Sequence, residues 1–209
     1  MLSKLGFDLW ADGYDKTVQV SEENEVYPFA GYRAILNTIF NEVMGKVNAS
    51  VLDIGFGTGV LPSKLYYHGH QIDGIDFSSQ MIALAAPKMP KANLVEWDIT
   101  NGLPEEIKAK KYDYIVSTYA LHHLTDDEKG RFIRMLLPML EVEGKILIGD
   151  IAFETRQELE SCRLDSIDFW DDEEFYFVFD ELHSMLKEEC KLEFQAHSHC
   201  GGVIILSRK

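Results

Sequence analysis

Residues 51 to 59 read VLDIGFGTG, an apolar run that closes on Asp53 and passes at once into Gly55, Gly57 and Gly59. Val51, Leu52 and Ile54 suit a strand buried on both faces, and glycines at alternate positions let the backbone turn tightly and approach a ligand closely. A strand ending in such a loop points to an open α/β sheet that holds its ligand at the strand ends. The spacing narrows the ligand. A dinucleotide fingerprint, GxGxxG, would need Gly or Ala at position 60, where this chain has Val60. Asp53 also precedes the glycines, where a carboxylate would repel a pyrophosphate but suits an ammonium or sulfonium charge.

The rest of the chain alternates as such a sheet requires. Residues 31 to 46 place Ile35, Leu36, Ile39, Phe40, Val43 and Met44 on one helical stripe, so an amphipathic helix leads into the first strand. A helix over 60 to 68, a strand over 70 to 77 and a helix capped by Ser78 or Ser79 follow. Further strands are expected at 93 to 97, 112 to 118 and 145 to 151. Thr125 and Glu128 form a capping-box pattern ahead of Phe132, Met135, Leu136 and Met139, and Pro138 should shorten or kink the end of that helix. Residues 191 to 197 and 202 to 207 read as a hairpin, which adds an antiparallel element to a mostly parallel sheet. Residues 152 to 189 exceed an ordinary crossover and predict an inserted lid or extra helices within a single domain spanning 1 to 209.

Composition excludes some partners. With 209 residues, 46% of them hydrophobic, the chain can bury one sizeable core. Its formal charge of -15 repels phosphate backbones, and no local basic patch offsets it, so no nucleic-acid partner is expected. Three irregularly spaced cysteines, Cys162, Cys190 and Cys200, fit a reduced cytoplasmic setting better than a disulfide framework. The opening residues carry no apolar signal core and no run reaches the ~20 apolar residues of a membrane span. A soluble protein without a membrane partner is expected. The oligomeric state stays open.

The segment DIGFGTG resembles motif I, (D/E)xGxGxG, of the class I S-adenosylmethionine-dependent methyltransferases. Two further strand ends continue the resemblance: QIDGIDFSSQM, with Asp76, and VEWDIT, with Asp98. The expected fold is therefore the Rossmann-like sheet of that class, and the expected cofactor is S-adenosyl-L-methionine. The resemblance implies that Asp53 and the loop of Gly55, Gly57 and Gly59 face the methionine end of the cofactor. Asp76, followed by Phe77, would grip the ribose hydroxyls, and Met81 would pack on the adenine. Asp98 would bind the adenine amino group, with Trp97 or Ile99 beside the ring. The stretch containing Asp113 and Ser117 matches the following family motif, whose strand end makes the floor between cofactor and acceptor. The segments LWADGYDKTV, GYRAIL and STYALHHLTDDEK look like those of small uncharacterised bacterial methyltransferases associated with methionine and cysteine recycling. In related enzymes the segment matching Trp10 and Tyr14 closes over the pocket, which makes residues 1 to 30 a candidate cap.

On the acceptor side the candidates are Tyr14, Tyr119 and His123, with His122 as the neighbouring imidazole. A histidine there can take a proton from an oxygen, nitrogen or thiol acceptor, or can simply pack and cap locally. The acidic-aromatic stretch IDFWDDEEFYFVFD offers Trp170, Glu174 and Tyr176 as pocket walls, or presents a solvated face at Asp171 and Asp172. His197, His199 and Cys200 form HxHC, but a zinc site usually needs a fourth ligand and none is evident, so no metal is expected. Residues 117 to 120 read STYA and not the Asn-Pro-Pro-Tyr of enzymes that methylate nucleic-acid amino groups. The function expected is methyl transfer to a small-molecule acceptor by in-line displacement; a protein methyltransferase and a non-catalytic S-adenosylmethionine sensor are the alternatives.

Overall fold

The computed structural model describes residues 26 to 209, so the expectations for Trp10 and Tyr14 lie outside the described residues. Eight strands are described: β1 (Ser50–Ile54), β2 (Gln71–Asp76), β3 (Asn93–Glu96), β4 (Tyr112–Thr118), β5 (Leu140–Phe153), β6 (Phe177–Val178), β7 (Cys190–Ala196) and β8 (Gly201–Arg208). Seven run in the order β3-β2-β1-β4-β5-β8-β7, and β6 pairs with β5 off that path. The first five are mutually parallel, and β8 returns antiparallel against β5 and β7. The mostly parallel α/β sheet with an antiparallel terminal hairpin is thus present. Strand order reverses between β1 and β4, which makes the carboxyl ends of those two strands the natural ligand crevice.

Helices cover both faces. They are α1 (Tyr32–Met44), α2 (Val60–Tyr67), α3 (Ser79–Ala85), α4 (Glu105–Lys108), α5 (Asp126–Leu136), α6 (Arg156–Asp165) and α7 (Phe179–Leu186). Because side chains alternate along a strand, each central strand feeds two cores. Val51, Val116, Leu147 and Val203 join Ile35, Leu36, Ile39 and Val43 of α1 on one face. Leu52, Ile115, Ile146, Ile148 and Ile204 join Phe132, Ile133 and Leu136 of α5 and Leu182 and Leu186 of α7 on the other. Full burial of one such aliphatic side chain contributes about 1.5–3 kcal/mol, so the apolar runs specify the layers. Ser78 caps α3 by accepting the Met81 N–H at 3.2 Å. Thr125 and Glu128 form the complete capping box of α5, and Pro138 sits in a 3-10 turn that ends it.

One strand boundary differs from expectation. β5 begins at Leu140, earlier than 145, because exposed Glu141 to Glu143 continue the strand beside an irregularity at Tyr112 and Tyr114. The segment 152 to 189 contains α6, β6 and α7. It starts with the end of β5 and finishes with α7, an ordinary crossover helix, so the addition proper is α6 and the loop leading to β6. The thiols of Cys162, Cys190 and Cys200 are free and buried. No helix among the described residues is long and apolar enough to cross a membrane.

The glycine loop after β1 is held by two different requirements. Gly55 has φ +70°, in the left-handed region, and a Cβ there would lie 2.4 Å from the Cβ of Ala120. Gly57 has φ +54°, yet a Cβ there would meet nothing within 4 Å. The first glycine therefore lets the loop pack on the turn after β4, while the second fronts open space. Gly59, the residue before α2, packs at Ala85 of α3. Gly55→Ala should lose about 2–4 kcal/mol of stability from backbone strain plus overpacking, and Gly57→Ala only about 1–2 kcal/mol. Chemical denaturation of the two variants checks this, and equal losses would remove the distinction.

Candidate active site

The carboxyl ends of β1, β2 and β3 bring three aspartates to one rim of the sheet. Asp53, in β1, is fully buried, and neither carboxylate oxygen has a hydrogen-bond partner among the described residues. Burial, with the nearby Asp76 charge adding to it, pushes its pKa from 3.8 up to about 8. Asp76, the last residue of β2, accepts the Gly57 N–H at 2.8 Å on one oxygen and the Ser78 N–H at 2.9 Å on the other. It therefore fixes the glycine loop as well as ending the strand. Phe77 follows, half-buried, and Met81 is buried on the first turns of α3 without belonging to either core. Asp98 is exposed beyond β3, where one oxygen accepts the Thr100 N–H at 2.9 Å and hydroxyl at 2.7 Å. Ile99 lies beside it, half-buried, and the Trp97 indole donates to the Gly102 carbonyl at 3.0 Å.

β4 closes the crevice. The Ser117 hydroxyl donates to the Ile54 carbonyl at 3.0 Å, a tie between β4 and β1. Asp113 does not share this location: it stands at the amino end of β4, where it accepts the Ser50 N–H at 2.8 Å and pairs with Lys46. Parallel strands put it on the far edge from the ligand end. Tyr119 follows β4 with φ 51°, uncommon for a bulky residue and characteristic of functional turns. Its N–H donates to the Gly149 carbonyl at 2.9 Å, and its ring packs at 5.2 Å from Phe29 and from Tyr32. Tyr119, Thr118 and Tyr32 line a small pocket together with Gly55, Phe56 and Gly57.

The next turn carries a denser polar cluster. His122 Nδ1 lies 2.6 Å from Asp150 Oδ1, and its Nε2 lies 3.6 Å from Glu174 Oε1. His123 Nδ1 is 3.9 Å from that same oxygen. Burial works against charging His122, but the Asp150 and Glu174 carboxylates outweigh it and raise its pKa. Burial and then the neighbouring His122 push His123 down to about 4, so it is neutral. Tyr176 donates its hydroxyl to Glu174 Oε2 at 2.9 Å, and Tyr27 hydrogen-bonds Tyr176 in turn. Trp170 stacks on Tyr27 at 5.2 Å and meets Tyr176 edge-on at 4.8 Å. The described end of the N-terminal segment thus touches the loop before β6.

That loop is pinned through the backbone of Phe175. Its N–H donates to the His122 carbonyl at 2.8 Å, and its carbonyl accepts from Lys129 of α5. Lys129 is buried, bonded to Asp126 at 2.9 Å and placed 4.5 Å from the centre of the Phe177 ring. Sequence reasoning missed Asp150 and Lys129 altogether, since an aspartate inside an apolar strand and a lysine on an acidic helix carry no motif. By contrast the HxHC residues make no shared site: His197 hydrogen-bonds Thr38 at 3.1 Å, His199 is exposed and Cys200 is buried.

Comparison with known proteins bears on the fold and the family. Residues 51–144 match a family described as a methyltransferase domain. An uncharacterized methyltransferase of Geobacillus sp. (strain WCH70) is 37% identical over 190 residues, covering 87% of this chain and 86% of the relative. Another from Geobacillus kaustophilus (strain HTA426) is 36% identical, covering 87% and 85%. Among solved structures, the fold is shared with the DhpI-SAH complex at TM-score 0.70 and 17% identity, covering 97% of this chain and 93% of that one. It is also shared with magnesium protoporphyrin IX methyltransferase from Synechocystis PCC 6803 with bound SAH, at TM-score 0.70 and 16% identity over 97% of both chains. A glycine loop and acidic strand ends on this sheet, joined to relatives that align along most of their length, establish that the chain belongs to the class I S-adenosylmethionine-dependent methyltransferase family.

Proposed function

We propose that this methyltransferase acts on a small molecule, held between the turn after β4 and the loop before β6. The observation that carries this reading is the juxtaposition across β1 and β4 of two unlike surfaces: a glycine loop fronting open space and a polar cluster walled by Tyr27, Trp170 and Tyr176. Aromatic walls orient a small acceptor and exclude water, whereas a macromolecule needs a broader groove.

The residues of the crevice fit the cofactor. A buried carboxylate without a donor is costly, and the ammonium of a methionine group is the complement Asp53 lacks. Since Asp53 is sealed from solvent, the cover over β1 must shift, or a water must bridge, for that charge to be met. Gly57 lets the ligand approach the loop, Asp76 faces the ribose, and Phe77, Met81, Asp98 and Ile99 form the adenine side. Gly55, Gly59 and Ser117 hold the backbone that presents these groups. When bound, S-adenosylmethionine supplies an electrophilic methyl on a sulfonium sulfur.

On the acceptor side Tyr119 and His123 stand nearest the reacting atoms; Tyr14 is the third candidate and, with most of the 1 to 30 cap, lies outside the described residues. Neutral His123 is in the correct state to take a proton, while His122, clamped by carboxylates, orients the cluster. Holding the acceptor in a near-attack pose supplies most of the rate enhancement. Small molecules of the cytoplasm are the first acceptors to try.

Methyl-labelled S-adenosylmethionine incubated with the protein and a metabolite extract should place label in a low-mass product. Label confined to protein would transfer the reading to a protein acceptor, and cofactor binding without turnover would make the chain a sensor. Asp76→Ala should weaken S-adenosylmethionine binding by about 1.5–3 kcal/mol in calorimetry, the scale of hydrogen bonds to a charged group. Unchanged affinity would show that Asp76 serves the loop alone.

Asp53 also predicts a pH dependence. Its folded pKa is raised, so its contribution to stability is fully present below the unfolded value of 3.8 and is lost as pH rises through about 8. In the cofactor-free protein, Asp53→Asn should flatten the melting temperature across that range and weaken cofactor binding at its upper end. Parallel melting curves for wild type and variant would contradict a buried, destabilised carboxylate.

A further inference from the structure

His122, His123 and Glu174 converge more closely than catalysis by a single base requires. Their three donor atoms lie within 4.8 Å of one another, with both imidazoles turned toward the same Glu174 oxygen at 3.6 and 3.9 Å. Those separations are longer than hydrogen bonds. They approach the ~3.3–3.6 Å spacing of neighbouring donors around a tetrahedral cation whose bonds are ~2.0–2.2 Å long. We propose that His122, His123 and Glu174 bind a divalent transition-metal cation, with zinc as the best-matched ion. Two imidazoles and one carboxylate favour a borderline cation over magnesium or calcium, which select oxygen donors. Three protein ligands leave a position for water or an exogenous group.

The surroundings have the form of an outer shell. Asp150 binds Nδ1 of His122 at 2.6 Å, which leaves Nε2 as the ligand atom. The Tyr176 hydroxyl occupies Glu174 Oε2 at 2.9 Å, which leaves Oε1 toward the histidines. The two Phe175 backbone bonds, to His122 and from Lys129, fix Glu174 to the histidine turn although it comes from a different segment. The side chains of the three ligands are 8%, 21% and 20% exposed, so the site is sheltered yet within reach of an ion. A proton on His122 is the competing occupant. It needs no help from His123, whose ring nevertheless meets that of His122 at 4.3 Å between centroids.

The proposal goes beyond the methyl-transfer reading, confines proton acceptance by His123 to the ion-free protein because a bound cation takes that lone pair, and is tested by metal binding alone. The full-length protein, stripped with chelator and dialysed, is titrated with zinc by calorimetry and with cobalt by absorption. One equivalent should bind with Kd of about 1 μM or tighter, with cobalt giving the intense visible bands of a low-coordinate site. His123→Ala and Glu174→Gln should each weaken zinc at least tenfold, and Asp150→Asn about 10–100-fold through the outer shell. A wild-type protein that binds neither ion stoichiometrically overturns the proposal, as does binding that survives both ligand changes in folded variants. Should a variant misfold, the wild-type titration and protection of His122 and His123 from diethylpyrocarbonate by zinc decide the matter: no protection means no site.

Discussion

Parallel pairing of β1 between β2 and β4 governs the rest of the molecule. The register Ile54↔Ile75 and Ile54↔Ser117 brings the ends of three strands level, and the chain must then leave each strand in a different direction. At β1 it leaves through the glycine loop, which Asp76 of β2 secures from one side by accepting the Gly57 N–H. Ala120, after β4, limits it from the other side at Gly55. The loop is thus defined by its neighbours as much as by its own glycines. The same pairing buries Asp53 without donors, a local cost that the two apolar cores around it offset.

What was legible in the sequence was what is contiguous in it. Asp53 with its glycines, Ser78 before Met81, and Thr125 with Glu128 are each decided within a few residues, and each forms the local structure expected. The layers followed from apolar runs long enough to fill both sheet faces. The mostly parallel sheet with its terminal hairpin followed from strand-helix alternation and the resemblance, whereas the strand order is seen only in the folded molecule. Asp113 and Ser117 share one motif stretch but sit at opposite ends of β4, and a motif position near a strand does not say which end the residue occupies. At the amino end of β4 the partners of Asp113 are Ser50 and Lys46.

The polar cluster was less legible because register creates it. Pairing of Thr118 with Gly149 sets Asp150 beside the turn that carries His122. Glu174 arrives only because Lys129 and His122 hold the Phe175 backbone. A histidine pair in a sequence cannot announce partners contributed by an apolar strand and a distant loop. Nor does Tyr119 signal its positive φ, which is imposed by the tight exit from β4 and the bond to Gly149.

The hold on Phe175 divides the chain after α6 into two mechanical parts. Residues 174 to 178 are bolted to α5, to the histidine turn and to β5, so separating them would strand a buried ammonium and break a strand pair. Residues 167 to 173 are tied elsewhere, Asp172 to Arg163 at 2.7 Å, and are exposed apart from Trp170, with Ile167 and Phe169 turned out to solvent. The wall bearing Glu174 is consequently a fixed jamb. The turn next to it is rich in acidic residues and meets the rest of the molecule through Trp170, stacked on Tyr27 at 5.2 Å.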